Sequence, residues 1–188
     1  MKTEDLGNSK FLNLLLKPAG IVMESRVRQW LFDPVKTLRG ADIQPGQTVL
    51  EVGCGTGFFT VPAARLIGDQ GCLVAMDVLA GYVEQVSKKV LDANLKNVRV
   101  AKRDALDTGL DTESMDRVLL FGVIPFPSLP LKRLLPEMHR VLKPEGRLAV
   151  WLFPVSGWVP SSILRSGLFA YINKRNGVLN YSRLQAKT

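Results

Sequence analysis

The stretch Val49-Leu50-Glu51-Val52-Gly53-Cys54-Gly55-Thr56-Gly57 decides how the rest of this 188-residue chain reads. Gln47–Val52 is a short apolar strand after the Pro45-Gly46 turn, and Phe58–Ile67 reads as a helix ending at Gly68. Pro62 removes one intrahelical donor, so the first turns of that helix are expected to be irregular. Glycines at alternate positions between strand and helix let the backbone turn tightly and approach a ligand with no Cβ in the way. The helix behind them presents unpaired N–H groups. Glu51 stands two residues before the first glycine, and Asp77 lies 20 residues beyond Gly57 at the end of the next apolar run. A carboxylate there can accept both hydroxyls of a ribose.

Two ligand classes use such an arrangement. A dinucleotide site needs GxGxxG, whereas the spacing here is GxGxG with Phe at position 58. S-adenosylmethionine has no pyrophosphate to hold and matches the observed spacing, with Glu51 placed to receive its ammonium group. A tight turn with no ligand is the plain structural alternative, and the positions of Glu51 and Asp77 argue against it.

Working outward, apolar strand-like runs alternate with helical stripes. Cys72–Asp77, Val98–Ala101, Arg117–Phe121 and Arg147–Phe153 read as further strands. Asp33-Pro34 reads as a cap and first-turn proline opening a helix to Gly40. Tyr82–Asn94 places Val83, Val86, Val90 and Leu91 at helical spacing, and Leu131, Leu134, Leu135, Met138 and Leu142 form a second stripe that Lys143-Pro144-Glu145-Gly146 stops. This alternation predicts an α/β fold with a doubly wound, mostly parallel sheet. Phe169–Arg175 and Val178–Leu184 flank Asn176-Gly177, a two-residue hairpin signal. The sheet is therefore expected to end in an antiparallel hairpin and to hold seven strands. Residues 1–33 read as an N-terminal helical or cap segment, and 34–188 as the domain proper.

The net charge of +8 is unevenly placed. Residues 1–40 carry 7 basic and 4 acidic groups, 41–145 carry 12 and 13, and 146–188 carry 6 and none. A neutral body with basic flanks argues against a chain that coats nucleic acid. Two cysteines, Cys54 and Cys72, make neither a disulfide framework nor a CxxC metal pair, so no metal is expected. The start lacks a signal-peptide pattern. The longest charge-free stretches, Val118–Leu131 and Leu148–Leu164, contain prolines and fall short of the ~20 apolar residues of a membrane span. The expectation is a soluble, cytoplasmic protein.

The ordered set of segments resembles the class I S-adenosylmethionine-dependent methyltransferases. The resemblance is closest to the branch that includes ubiquinone, menaquinone and phospholipid methyltransferases, and it runs from about Pro34 to the C-terminal hairpin. VLEVGCGTG is the glycine motif, Asp77-Val78 the ribose position, and Asp104-Ala105 falls where relatives hold the adenine. Asp116–Gly122 looks like the fourth-strand motif, whose end, Phe121-Gly122, lies beside the methionine moiety. Leu134–Val150 is similar to the family's helix-turn-strand, with Glu145 replacing a glycine. The resemblance implies S-adenosylmethionine as cofactor and Glu51, Gly53, Cys54, Gly55, Thr56, Gly57, Asp77, Val78, Asp104, Ala105, Phe121 and Gly122 as its contacts.

No catalytic residue is assigned. Val123–Pro127 follows the fourth strand where many relatives carry a polar group, and the sole histidine, His139, reads as packing or surface. Glu24, Tyr171 and Tyr181 are the remaining candidates for a base. Phe11–Val22, Ile124–Leu131 and Pro154–Leu164 should cover the methyl group, supplying Phe11, Ile21, Met23, Phe126, Leu129 and Trp158. They either fill the core or a lid, or line the site of a small apolar or lipid-like acceptor. The basic flanks (Lys10, Lys17, Arg26, Arg28; Arg165, Lys174, Arg175, Arg183, Lys187) are placed for peripheral contact with an anionic membrane. An RNA or protein substrate and a non-catalytic S-adenosylmethionine-binding scaffold are the alternatives.

Overall fold

Asp33 caps the first helix: its Oδ1 accepts the amides of Val35 (2.9 Å) and Lys36 (3.1 Å), and Pro34 occupies the first turn. The computed structural model describes residues 33–125, 129–152 and 157–185. The elements run α1 (Pro34–Gly40), β1 (Thr48–Val52), α2 (Thr60–Ile67), β2 (Cys72–Asp77), α3 (Ala80–Asp92), β3 (Val98–Lys102) and β4 (Met115–Phe121). They continue with α4 (Leu131–Val141), β5 (Leu142–Trp151), α5 (Trp158–Arg165), β6 (Phe169–Arg175) and β7 (Val178–Arg183). All of the expected N-terminal cap segment, residues 1–33, except Asp33 lies outside the described residues.

The seven strands form one sheet in the order β3-β2-β1-β4-β5-β7-β6. β3, β2, β1, β4 and β5 are mutually parallel, and β7 runs antiparallel to both β5 and β6. The Asn176-Gly177 turn takes positive φ at both residues (48° and 81°) and joins the Arg175–Val178 pair, as a two-residue hairpin requires.

The inner strands β1, β2 and β4 are mostly apolar because both faces of the sheet are covered there, whereas the outer β3 and β6 carry exposed charged residues. Val49, Leu119, Phe121, Ala149 and Trp151 point to one layer, where they pack with Leu38, Phe59, Ala63 and Ile67 from α1, α2 and the turn before α2. Leu50, Val52, Val118, Leu120, Leu148 and Val150 alternate to the other face, against Leu134, Met138, Val159 and Ile163 from α4 and α5. Each fully buried side chain of this size contributes about 1.5–3 kcal/mol. The glycine loop follows β1, the strand between β2 and β4, so it sits at the point where the chain reverses its direction across the sheet. That switch point is where open α/β sheets bind ligands.

Four local expectations need correction. Helix α2 starts at Thr60, because the glycine turn continues through Phe59 and leaves Pro62 in the first helical turn. Leu91 is not part of the buried stripe of α3: Val86 and Val90 are buried, whereas Leu91 is 77% exposed. One residue past Val90, it is rotated about 100° off the buried face. The Lys143–Gly146 stretch does end helix α4, but it does so inside β5, which begins at Leu142 opposite Met115. The tight bend is held at Gly146, where a Cβ would come within 2.8 Å of the Lys143 carbonyl. Residues 158–165, read only as a covering linker, form helix α5. The Val159–Ile163 pair, four residues apart and fully buried, was the available signal.

Candidate functional site

Gly53, Gly55 and Gly57 all take positive φ (67°, 52° and 85°). Gly53 has a second constraint: a Cβ there would collide with the Val123 side chain, so the loops after β1 and β4 touch at this point. The Gly57 amide donates to the Cys54 carbonyl (2.9 Å) and closes the turn, while the Cys54 amide donates to the Met76 carbonyl (2.9 Å) and ties it to β2. Lys89, from α3, donates its Nζ to the Thr56 carbonyl at 2.9 Å. Sequence reasoning missed Lys89, which points to the loop only once α3 packs beside it.

Asp77 sits across this loop at the end of β2. Its Oδ2 accepts the Gly55 amide and its Oδ1 the Leu79 amide, both at 3.0 Å. Burial raises its pKa, and the amide hydrogen bonds oppose the rise. Glu51 is 3% exposed, and its Oε2 accepts from Thr60 Oγ1 at 2.7 Å. Burial lifts the Glu51 carboxyl to about 8, with the Thr60 hydrogen bond lowering it and the Asp77 charge raising it. Thr60 was not singled out from the sequence; it lies in the first turn of α2, directly behind the loop.

The other expected contacts fall on neighbouring strand ends. Val78, half-buried, follows Asp77. The Arg103 amide donates to the Asp77 carbonyl (3.1 Å), bringing the turn after β3 alongside. In that turn Asp104 accepts the Leu106 amide on Oδ1 (2.9 Å), and Ala105 is buried. Gly122, at φ 70°, donates its amide to the Trp151 carbonyl (2.9 Å). The Phe121 ring turns away into the core, edge-on to Phe59 with centroids 5.0 Å apart. Burial and the nearby Glu51 and Asp77 charges push the Cys54 thiol upward, which keeps it a neutral neighbour of the loop.

Of the candidate bases, the described ones, Tyr171 and Tyr181, lie on the hairpin strands β6 and β7. His139 donates through Nε2 to the Leu184 carbonyl (2.7 Å) and packs edge-on to Phe169, so it anchors the C-terminal hairpin. Tyr181 is fully buried with no hydrogen-bond partner for its hydroxyl, and Tyr171 stands half-exposed beside it, ring centroids 5.9 Å apart. Glu24 lies outside the described residues, as do Phe11, Ile21, Met23 and Phe126. Of the expected surface cations, Arg175 faces Asp42 (3.6 Å) and Arg183 faces Glu113 (2.9 Å).

Beyond β4, Pro125, Leu129, Leu131, Leu135, Trp158 and Leu168 line a mainly apolar cavity of about 730 Å³ between α4 and α5. Trp158 is 54% exposed there. No helix among the described residues is long and apolar enough to cross a membrane, and none of them form a metal-holding cluster.

S-adenosylmethionine presents an ammonium, a ribose diol and a cationic sulfur, which call for acceptors, beside a carboxylate, which calls for donors. Among the described residues, no basic side chain pairs with Glu51 or Asp77. Thr56 Oγ1 is buried without a partner at the same loop. Two buried carboxylates and an orphaned hydroxyl around a glycine turn fit this ligand.

Residues 49–146, just over half the chain, match the methyltransferase domain family. The chain is 32% identical over 114 residues to a demethylmenaquinone methyltransferase of Bacillus cereus, covering 60% of this chain and 47% of that protein. It is 30% identical over 128 residues to an aklanonic acid methyltransferase of a Streptomyces species, covering 68% and 53%. It thus spans about half the length of the curated relatives it matches. The solved structure of an S-adenosylmethionine-dependent methyltransferase from Aquifex aeolicus superposes with a TM-score of 0.73 at 25% identity, over 88% of this chain and 96% of that one. Strand order, glycine turn and matched residues agree: the chain belongs to the methyltransferase domain family, in the class that takes S-adenosylmethionine as cofactor.

Proposed function

We propose that this protein moves the methyl group of S-adenosylmethionine to a small apolar acceptor by in-line displacement. The observation that carries this reading is the buried pair Glu51 and Asp77 around the Gly53–Gly57 turn. Glu51 receives the ammonium end, Asp77 the ribose, Asp104-Ala105 the adenine, and the backbone at Phe121-Gly122 lines the methionine side. Gly53, Cys54, Gly55, Thr56, Gly57 and Val78 complete the cradle. The cofactor, when bound, supplies an already electrophilic methyl group. The chain's own contribution is then to align donor and acceptor and exclude water, which can contribute about 7–11 kcal/mol to barrier lowering.

The apolar cavity beyond β4 supports an apolar acceptor, as does the similarity to demethylmenaquinone and aklanonic acid methyltransferases. In this reading residues 34–188 are the methyltransferase domain and 1–33 the segment that precedes it. Arg165 and Lys174, which meet no acidic side chain among the described residues, leave room for peripheral membrane contact from a cytoplasmic protein. The test is incubation of the full chain with methyl-labelled S-adenosylmethionine and lipid, quinone-precursor or RNA pools. Label in the apolar fraction supports the reading; label in RNA, or S-adenosylhomocysteine binding without transfer to any pool, refutes it.

A further inference from the structure

The cavity between α4 and α5 has a polarity that an apolar acceptor alone does not explain. Its floor is hydrophobic, yet its charged lining is of one sign: Lys132 in the first turn of α4 and Arg165 in the last turn of α5, with no carboxylate. Arg165 donates through Nη2 to Ser162 Oγ (3.2 Å), another lining residue, which holds the guanidinium along the cavity wall. The acid of α4, Glu137, is committed elsewhere: it binds Arg140 (2.7 Å) and the amide and hydroxyl of Thr108. Residues 146–188 contain no acidic residue at all, so nothing in the sequence of that flank offsets Arg165. The volume, about 730 Å³, lies within the ~300–1,000 Å³ of small-molecule sites.

We propose that this cavity binds an amphiphilic anion: an apolar chain or ring system lying against Trp158, Leu131 and Leu135, with a carboxylate or similar group met by Lys132 and Arg165. The site thereby selects acidic acceptors over neutral ones of equal apolarity. This rests on reading the cavity as the acceptor side of the proposed methyl transfer.

The test is calorimetric titration of the full chain with laurate below its micelle concentration, against dodecanol and dodecyltrimethylammonium. Laurate should bind about five- to tenfold more tightly than dodecanol, the advantage falling with salt, because two exposed charge contacts each contribute modestly. The double variant Lys132→Met, Arg165→Met removes both charges while keeping unbranched apolar side chains and should bind laurate and dodecanol equally. Trp158→Ala should weaken both. Equal binding of all three amphiphiles by the wild type, or a preference that survives the double variant, overturns the proposal. So does sedimentation with phosphatidylglycerol vesicles without binding of monomeric laurate, which would make the cations a surface patch. S-adenosylhomocysteine titration in the same preparation separates the two readings. Laurate failing while the cofactor product binds removes only this inference; the converse removes the proposed activity.

Discussion

The Asp77 carboxylate accepts the Gly55 amide at 3.0 Å, so the acid expected to hold a ribose also fixes the loop that must surround the rest of the ligand. One group serves binding and loop shape together. Asp77→Ala should therefore weaken S-adenosylhomocysteine binding at least tenfold, since a buried amide and the ligand hydroxyls both lose an acceptor, at about 1–3 kcal/mol each. Asp77→Asn retains an acceptor for Gly55 and should fold like the wild type while binding less well. Calorimetry with the unmethylated product reads both; an unchanged affinity in the alanine variant would remove Asp77 from the site.

Glu51 sets a pH dependence whose sign follows from its burial. Its folded-state pKa, about 8, lies above the unfolded value near 4.5, so the folded protein holds the proton more tightly. The associated stability is fully present below about pH 4.5 and is lost as pH rises to about 8, at a slope of up to ~1.4 kcal/mol per unit. Glu51→Gln should flatten urea midpoints between pH 5 and 9 relative to the wild type. A cationic ligand requires the ionised form, so cofactor affinity should rise with pH through about 8 in the wild type and not in the variant.

Gly53 combines positive φ with the Val123 contact. Gly53→Ala should destabilise the protein by about 1–3 kcal/mol from backbone strain alone. Val123→Ala removes the collision but not the strain, so the double variant should recover only part of the loss. Chemical denaturation of the four proteins measures this directly.

Tyr181 offers a gain. On β7, opposite Leu148 of β5, its ring is fully buried in the core, but its hydroxyl has no partner among the described residues. Burial pushes the phenol up to about 12. Removing an unsatisfied buried hydroxyl relieves a penalty of about 1–3 kcal/mol, so Tyr181→Phe should be neutral or raise Tm. A clear drop in Tm would mean that the hydroxyl finds a partner in solution.

Much of this architecture was legible because its signals are local. The period of the apolar runs, the glycine spacing, the acid 20 residues on and the Asn-Gly turn each act over one or two elements, and each reappears in the sheet. Misreadings arose where the same residue type serves two environments. Leu91 looks like core by composition, yet one position of helical rotation puts it in solvent. The α5 segment looks like a loop because Pro160 and two serines dilute its stripe, and only burial of Val159 and Ile163 against the sheet makes it a helix.

By itself the sequence determined the fold class, the glycine turn and the acids beside it, since these follow from backbone sterics and periodicity. Tertiary structure alone decided that Thr60 meets Glu51, that Val123 closes over Gly53, and that Lys132 and Arg165 share one apolar cavity. Those relationships join side chains from separate elements, and their distances exist only once the packed sheet has fixed where every element ends.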